Sequence, residues 1–257
     1  MVDPIESVTE AINDCSGPAI CAYLTAGYPG LDRFPDVLQA VARSADVVEI
    51  GIPFTDPMAD GQTIQQASHR ALSEGVNLDY VFDTLEAADL DAPHVFMGYY
   101  NPFLAYGLDR LLVRMDAVGT AGLIVPDLPL EESEDLAKRL VEQGKGLIQL
   151  VAPTTPDDRL ATLAGASRGF VYAVTTKGTT GSSTIFDEAV LEYLDRVGAV
   201  SSLPVIAGFG VRERSQVAEL ARHVHGVAVG TALIDAIDRD EDPAGFLDGL
   251  RPIESMS

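Results

Sequence analysis

VVEIGIPFTDPMADG, residues 47–61, opens on three β-branched apolar residues, Val47, Val48 and Ile50, and closes in a loop rich in proline and glycine. This is the pattern of a short buried strand that stops abruptly. Pleating sends residues 47, 49 and 51 to one face and 48 and 50 to the other. Glu49, the one charge in the strand, therefore points into an apolar layer. A carboxylate there is costly unless it is paired or protonated. Asp56 and Asp60 follow on the loop, before a helix opens near Thr63. Three carboxylates so placed suit acid–base chemistry. They equally suit a structural ion pair for Glu49, with turn or cap roles for the two aspartates.

Outward from this stretch, short apolar strands alternate with amphipathic helices. The pattern predicts strands over Ala19–Ala26, the central stretch, His94–Tyr99, Gly122–Val125, Leu147–Val151, Phe170–Thr175, Pro204–Ala207 and Gly226–Val229. Each is followed by a helix, among them Thr63–Glu74, Glu131–Gln143 and Glu213–Arg222, and an additional helix, Ile5–Asp14, precedes the first strand. Continuously apolar strands separated by helices imply a parallel sheet covered on both faces. Eight such units in a chain of 257 residues predict a closed (β/α)8 TIM barrel, of α/β class, with residues 1–257 as one domain. An open doubly wound sheet is the alternative, but no GxGxxG follows the first strand.

The chain carries 24 Asp and 15 Glu against 14 Arg and only 3 Lys, for a net charge of −22. Such an excess argues against nucleic acid or an anionic membrane as partner. It suits a protein of concentrated salt, where repulsion between like charges is screened. No signal peptide or membrane-spanning run is evident, and Cys15 and Cys21 fit neither a redox motif nor a disulfide framework. A cytoplasmic location is expected, and no metal, since the four histidines show no ligand spacing.

In a barrel the chemistry lies where strands end and βα loops begin. Gly208-Phe209-Gly210 and Gly230-Thr231 follow the seventh and eighth strands. Their backbone N–H groups, with a short helix starting at Thr231, suit a phosphate; tight turns alone are the plainer explanation. Tyr23, Tyr99 and Tyr172 fall on strands 1, 3 and 6, as core aromatics or as walls for a flat apolar ligand. Thr176–Ser183 is small and polar, suited to a loop that orders over a ligand.

Glu49-Ile-Gly-Ile-Pro-Phe-Thr-Asp56-Pro-Met-Ala-Asp60-Gly61 closely resembles the signature of the tryptophan synthase α subunit. Leu24–Gly30, Pro126–Pro129, the Gly178–Gly181 loop, Gly208–Gly210 and Val229–Thr231 match that family in the same order. The resemblance implies a lyase that cleaves indole-3-glycerol phosphate to indole and glyceraldehyde 3-phosphate in tryptophan biosynthesis. It implies Glu49 as the general acid/base and Asp60 as the carboxylate that accepts the indole N–H. Tyr23, Tyr99, Tyr172 and Phe209 would bind substrate, Gly181, Gly210, Gly230 and Thr231 its phosphate, and Thr180 would be the lid threonine. Asp56 would couple to a β subunit, in an α2β2 assembly whose pyridoxal phosphate sits in β, with no cofactor in this chain. Tyr23 takes a place where the family commonly has phenylalanine, and Thr231 one often held by serine. Two other functions stay open: another phosphate-binding barrel enzyme of sugar-phosphate metabolism, or a mainly regulatory subunit that activates a β partner.

Overall fold

The structure, a computed structural model, describes residues 3–88, 90–175, 186–208 and 210–252. Eight parallel strands close into a barrel in chain order: β1 (Ala19–Thr25), β2 (Val47–Gly51), β3 (His94–Met97), β4 (Gly122–Ile124), β5 (Gly146–Val151), β6 (Val171–Val174), β7 (Val205–Gly208) and β8 (Gly226–Val229). β8 returns to β1 through Cys21↔Ala228 and its neighbours, so no sheet edge is left open. The TIM barrel expected from the sequence is the observed architecture.

The helices that matter for the site are α1 (Pro4–Asn13), α2 (Phe34–Ser44), α3 (Gln62–Ser73), α4 (Leu78–Ala87), α5 (Tyr100–Tyr106), α6 (Leu108–Ala117), α7 (Glu134–Val141), α8 (Asp157–Ala166), α9 (Glu188–Val200), α10 (Arg214–Leu220), α11 (Thr231–Asp238) and α12 (Pro243–Leu250). α1 closes the end of the barrel opposite the βα loops. Its Ile5 is buried among Gly122, Gly146 and Gly169, and a Cβ on these three would meet Ile5 at 3.2, 2.6 and 2.7 Å. Thr9 Oγ1 donates to the Gly169 carbonyl at 2.8 Å and fixes the same helix. Glycines that open β4 and β5 thus make room for the plug. That seals the apolar interior from below and leaves the upper mouth as the open end.

Two elements differ from the sequence reading. β3 ends at Met97, and Tyr99, expected on the strand, is the N-cap of α5. Asn101, Pro102 and Phe103 lie in the first turn of that helix. Proline is tolerated there because first-turn N–H groups have no helical partner. Asp127 Oδ1 accepts the Tyr100 N–H at 2.8 Å, satisfying one of them from the β4 loop. The helix expected over Glu131–Gln143 is likewise split into a single 3-10 turn, Leu130–Glu132, and α7. The Thr176–Ser183 loop, with Thr180 and Gly181, lies outside the described residues, as does Phe209.

Candidate active site

β2 carries Glu49 in register with Tyr23 of β1 and Val95 of β3. Its side chain is fully buried, and neither carboxyl oxygen has a hydrogen-bond partner among the described residues. Burial alone pushes its pKa from 4.5 up to about 8. Of the two ways to bury a carboxyl, pairing or protonation, Glu49 takes the second.

Two phenols stand over it. Gly51 shares the Glu49 face, and a Cβ there would fall 2.1 Å from Tyr23 Oη; on Gly208 it would fall 2.0 Å from the Tyr172 ring. Each ring therefore rests on a neighbouring strand's glycine. On its other side Tyr23 meets Gly230, whose Cβ would approach the ring to 3.2 Å. The absence of side chains at 51, 208 and 230 fits these rings into the barrel mouth. Gly210, by contrast, has φ of 90° and no close neighbour, so glycine there serves the turn. Burial first, then the nearby carboxyls Glu49 and Asp60, raise the pKa of both phenols and keep them neutral.

Asp60 lies on the β2–α3 loop, half-buried. Burial raises its pKa from 3.8 to about 6, against a hydrogen bond from Tyr99 that lowers it. Tyr99 Oη also accepts the Ala59 N–H at 2.8 Å, and its ring lies 5.2 Å from that of Phe54. Gln65 Nε2 donates to the Asp60 carbonyl at 2.9 Å. Tyr99 does not line the cleft described below; it braces the loop that presents Asp60. At the outer tip, Thr55 Oγ1 donates to Asp56 at 2.6 Å and Met58 is 92 % exposed.

A cleft of about 560 Å3, partly open to solvent, occupies the mouth. Ile64, Met97 and Ala228 with the rings of Tyr23 and Tyr172 supply an apolar wall. Asp60, Gly210, Arg212, Gly230 and Thr231 supply its polar lining. Gly230 is the N-cap of α11, whose first N–H groups have no helical partner. Glu49 is not among the lining residues; Tyr23 and Tyr172, whose pKa its carboxyl helps to raise, are.

The sequence reading missed Ile64, Met97, Ala228 and Arg212. Of these only Arg212 carried a signal, a cation two residues beyond a glycine loop. His94 is buried and bonded to Thr120 Oγ1 at 3.0 Å, with its pKa lowered by burial to about 4. Among the described residues no group of three or more His, Cys, Asp or Glu could hold a metal ion. No helix among them is long and apolar enough to cross a membrane.

The family model for the tryptophan synthase alpha chain matches residues 10–247. The tryptophan synthase alpha chain of Roseiflexus castenholzii is 44 % identical over 225 residues, covering 86 % of each chain. That of Nitratidesulfovibrio vulgaris is 42 % identical over 233 residues, covering 90 % of this chain and 91 % of its own. Among solved structures, a chain of Mycobacterium tuberculosis tryptophan synthase superposes with a TM-score of 0.88 at 36 % identity, covering 97 % of each. A chain from the alpha2beta2 complex of Pyrococcus furiosus gives 0.84 at 34 % identity, covering 91 % of this chain and 98 % of that one. Matched along almost its whole length in sequence and in fold, this chain belongs to the tryptophan synthase alpha chain family.

Proposed function

We infer that this chain is a carbon–carbon lyase that cleaves indole-3-glycerol phosphate to indole and glyceraldehyde 3-phosphate, with Glu49 and Asp60 as its catalytic residues. The observation that carries the assignment of roles is the separation of the two carboxyls: about 8 for Glu49 and about 6 for Asp60. At pH 7 the first is a neutral acid and the second an anion. Environments that push two carboxyls apart in this way divide acid from base work.

Cleavage needs a proton on C3 of the indole, which turns the ring into a leaving group. Glu49 supplies it. Asp60 accepts the indole N–H and opposes the positive charge that develops on the ring. The Glu49 carboxylate then takes the proton of the glycerol 3′-hydroxyl as the C–C bond breaks. The bond's electrons return to the indole, the aldehyde forms, and Glu49 ends protonated as it began. To act, Glu49 turns out between Tyr23 and Tyr172 into the cleft, and its unpartnered carboxyl breaks no hydrogen bond in doing so. The apolar wall with its two rings suits the flat indole. Gly210, Gly230, Thr231 and the start of α11 suit the phosphate, while Thr180, Gly181 and Phe209 keep the roles implied by the resemblance.

The chain itself needs no cofactor; in the family the pyridoxal phosphate belongs to the beta subunit. Association with a beta subunit into an alpha2beta2 complex is supported by the relatives' assemblies. The exposed Met58 beside Asp56 gives this loop an apolar tip suited to that contact. We further assign residues 1–257 to one domain, the chain to the cytoplasm, and its acid excess to a salt-rich milieu.

The test is indole release from indole-3-glycerol phosphate by the full chain, with and without a beta subunit. Glu49→Gln should fold, bind phosphate ligands, and lose about 10²–10⁴-fold in turnover, the usual worth of a general acid/base. Asp60→Asn should be severely impaired, since a neutral amide cannot oppose charge on the ring. A folded Glu49→Gln protein with near-parental turnover would remove Glu49 from the mechanism. Failure of the parent to cleave the substrate even with the beta subunit would leave only a regulatory role.

A further inference from the structure

We propose that Arg212 binds the substrate's phosphate from a position held by Asp235, a role that rests on the lyase reading above. Arg212 is the one cationic side chain among the described residues that line the cleft. It sits two residues beyond Gly210, on the loop that joins β7 to α10. Its backbone is fixed: the Arg212 N–H donates to Gln216 Oε1 at 2.7 Å, and the same oxygen takes the Glu213 N–H at 3.2 Å. Its side chain reaches across to α11, where Nη1 donates to Asp235 Oδ2 at 2.9 Å. Asp235 lies one turn along α11 from Thr231, another lining residue. The pair thus joins the two loops whose glycines line the same cleft.

The pair leaves much of the guanidinium in reserve. Only one of its nitrogens is engaged, no other described residue takes a hydrogen bond from it, and the side chain is 59 % exposed. Its remaining N–H donors form a rigid planar fork that matches phosphate oxygens two at a time. The chemistry of the site calls for such a group. A phosphate monoester carries a charge of about −1.5 to −2 at pH 7. Backbone N–H groups offer it only partial charges. The whole chain carries −22, and Asp60 shares the same cleft, so a dianion approaches against the field. Arg212 is the full positive charge that opposes this.

The competing explanation is a purely structural tie between the β7 loop and α11. The two differ in what Asp235 does. A tie is broken equally from either end, whereas a phosphate contact disappears only with the arginine. Cleavage kinetics of the full chain and inhibition by inorganic phosphate are therefore compared in the parent, Arg212→Ala, Arg212→Lys and Asp235→Asn, with indole affinity as the phosphate-free control. Arg212→Ala should raise KM and the inhibition constant for phosphate about tenfold, the worth of one charge-assisted hydrogen bond in a solvent-open site. Its kcat should stay within about threefold and its indole affinity should not change, the signature of lost uniform binding. Arg212→Lys should recover part of the loss. Asp235→Asn should leave phosphate inhibition unchanged or strengthen it, since it frees the guanidinium.

Equal weakening by Arg212→Ala and Asp235→Asn, or a matching fall in indole affinity, overturns the proposal in favour of the tie. So does phosphate inhibition of Arg212→Ala at the parental level. If the parent fails to cleave the substrate, the lyase reading falls separately. Calorimetric titration with inorganic phosphate then still decides on Arg212: weaker binding by Arg212→Ala alone supports it, and equal or no binding by parent and variant overturns it.

Discussion

Glu49 carries its proton into a part of the barrel where ionisation has nothing to offset it, and this has a consequence for stability. Below about 4.5 the carboxyl is protonated whether the chain is folded or not. As pH rises from there to about 8 the unfolded chain gives up the proton while the folded chain keeps it. The unfolded state binds fewer protons over that window, so stability is lost as pH rises through it. His94 works in the opposite sense. With its pKa lowered from 6.5 to about 4, it loses stability as pH falls between those values, because the unfolded chain takes up the proton first. The clean measurement is therefore a difference. Glu49→Gln should match the parent in denaturant unfolding near about pH 4 and be the more stable of the two near about pH 8.5. A parent-to-variant difference that does not change with pH would mean that Glu49 is ionised, or partnered, in the folded chain. The special character of Glu49 was legible in the sequence as a lone charge in an apolar strand. Arg212 was marked only by its place two residues beyond a glycine loop; its pairing was not legible, since it is one arginine among 14 and its partner lies 23 positions away. Nor was the reason for Gly51 and Gly208, since only the closed barrel shows that each makes room for a tyrosine from the strand before it in the ring.

The β2–α3 loop is the element on which the site depends most. It must hold Asp60 at the cleft while Asp56 and Met58 at its tip stay exposed. Tyr99 does this from the N-cap of α5, taking the Ala59 N–H and donating to the Asp60 carboxylate. Tyr99→Phe keeps the ring against Phe54 and removes only the hydroxyl. It should destabilise the fold by about 1 kcal/mol, the usual net worth of a hydrogen bond. More telling is the sign of its effect on Asp60. The Tyr99 bond lowers the Asp60 pKa, so its loss lets the value climb above about 6. The acid limb of the activity profile should shift to higher pH, with kcat falling more than KM rises. An acid limb that stays in place would show that Tyr99 merely packs, or that Asp60 does not control that limb. The sequence placed Tyr99 on a strand because an apolar run leads into it. What ends the strand and starts α5 is the Asp127 cap, supplied from the next βα loop, and periodicity does not see a cap that is distant in the chain. The same limit split the helix expected at Glu131. Its acidic residues carry no phase, whereas the buried Leu136 and Leu140 fix where α7 begins.

Over the whole molecule, the barrel was legible because eight apolar strands alternate with helices and no dinucleotide-binding glycine motif favours an open sheet, and the observed β8-to-β1 pairing closes the barrel. The charge is a separate matter, since net charge bears on solubility and salt response and not on the fold. Acids outnumber bases by 39 to 17, and the cations that are present are largely taken up in pairs such as Arg110 with Asp79 and Arg196 with Asp157. The surplus is carried by unpaired carboxylates on the outside. Two effects of added salt compete here. Screening weakens the exposed ion pairs, each worth only about 0.2–1 kcal/mol. It also weakens repulsion among the surplus carboxylates, which acts between all of them at once. The Debye length falls from about 10 Å at 0.1 M to about 3 Å at 1 M, so repulsion over the distances that separate surface carboxylates is largely removed. With a surplus of 22 the second effect outweighs the first. The Tm should therefore rise steadily from about 0.1 M to beyond 1 M KCl. Matched ionic strengths of KCl and NaCl separate the contributions: screening alone raises Tm equally in both, and a difference between them measures hydration specific to the cation. A Tm that stays flat or falls over this range would mean that the ion pairs dominate, and the salt-rich milieu would lose its support.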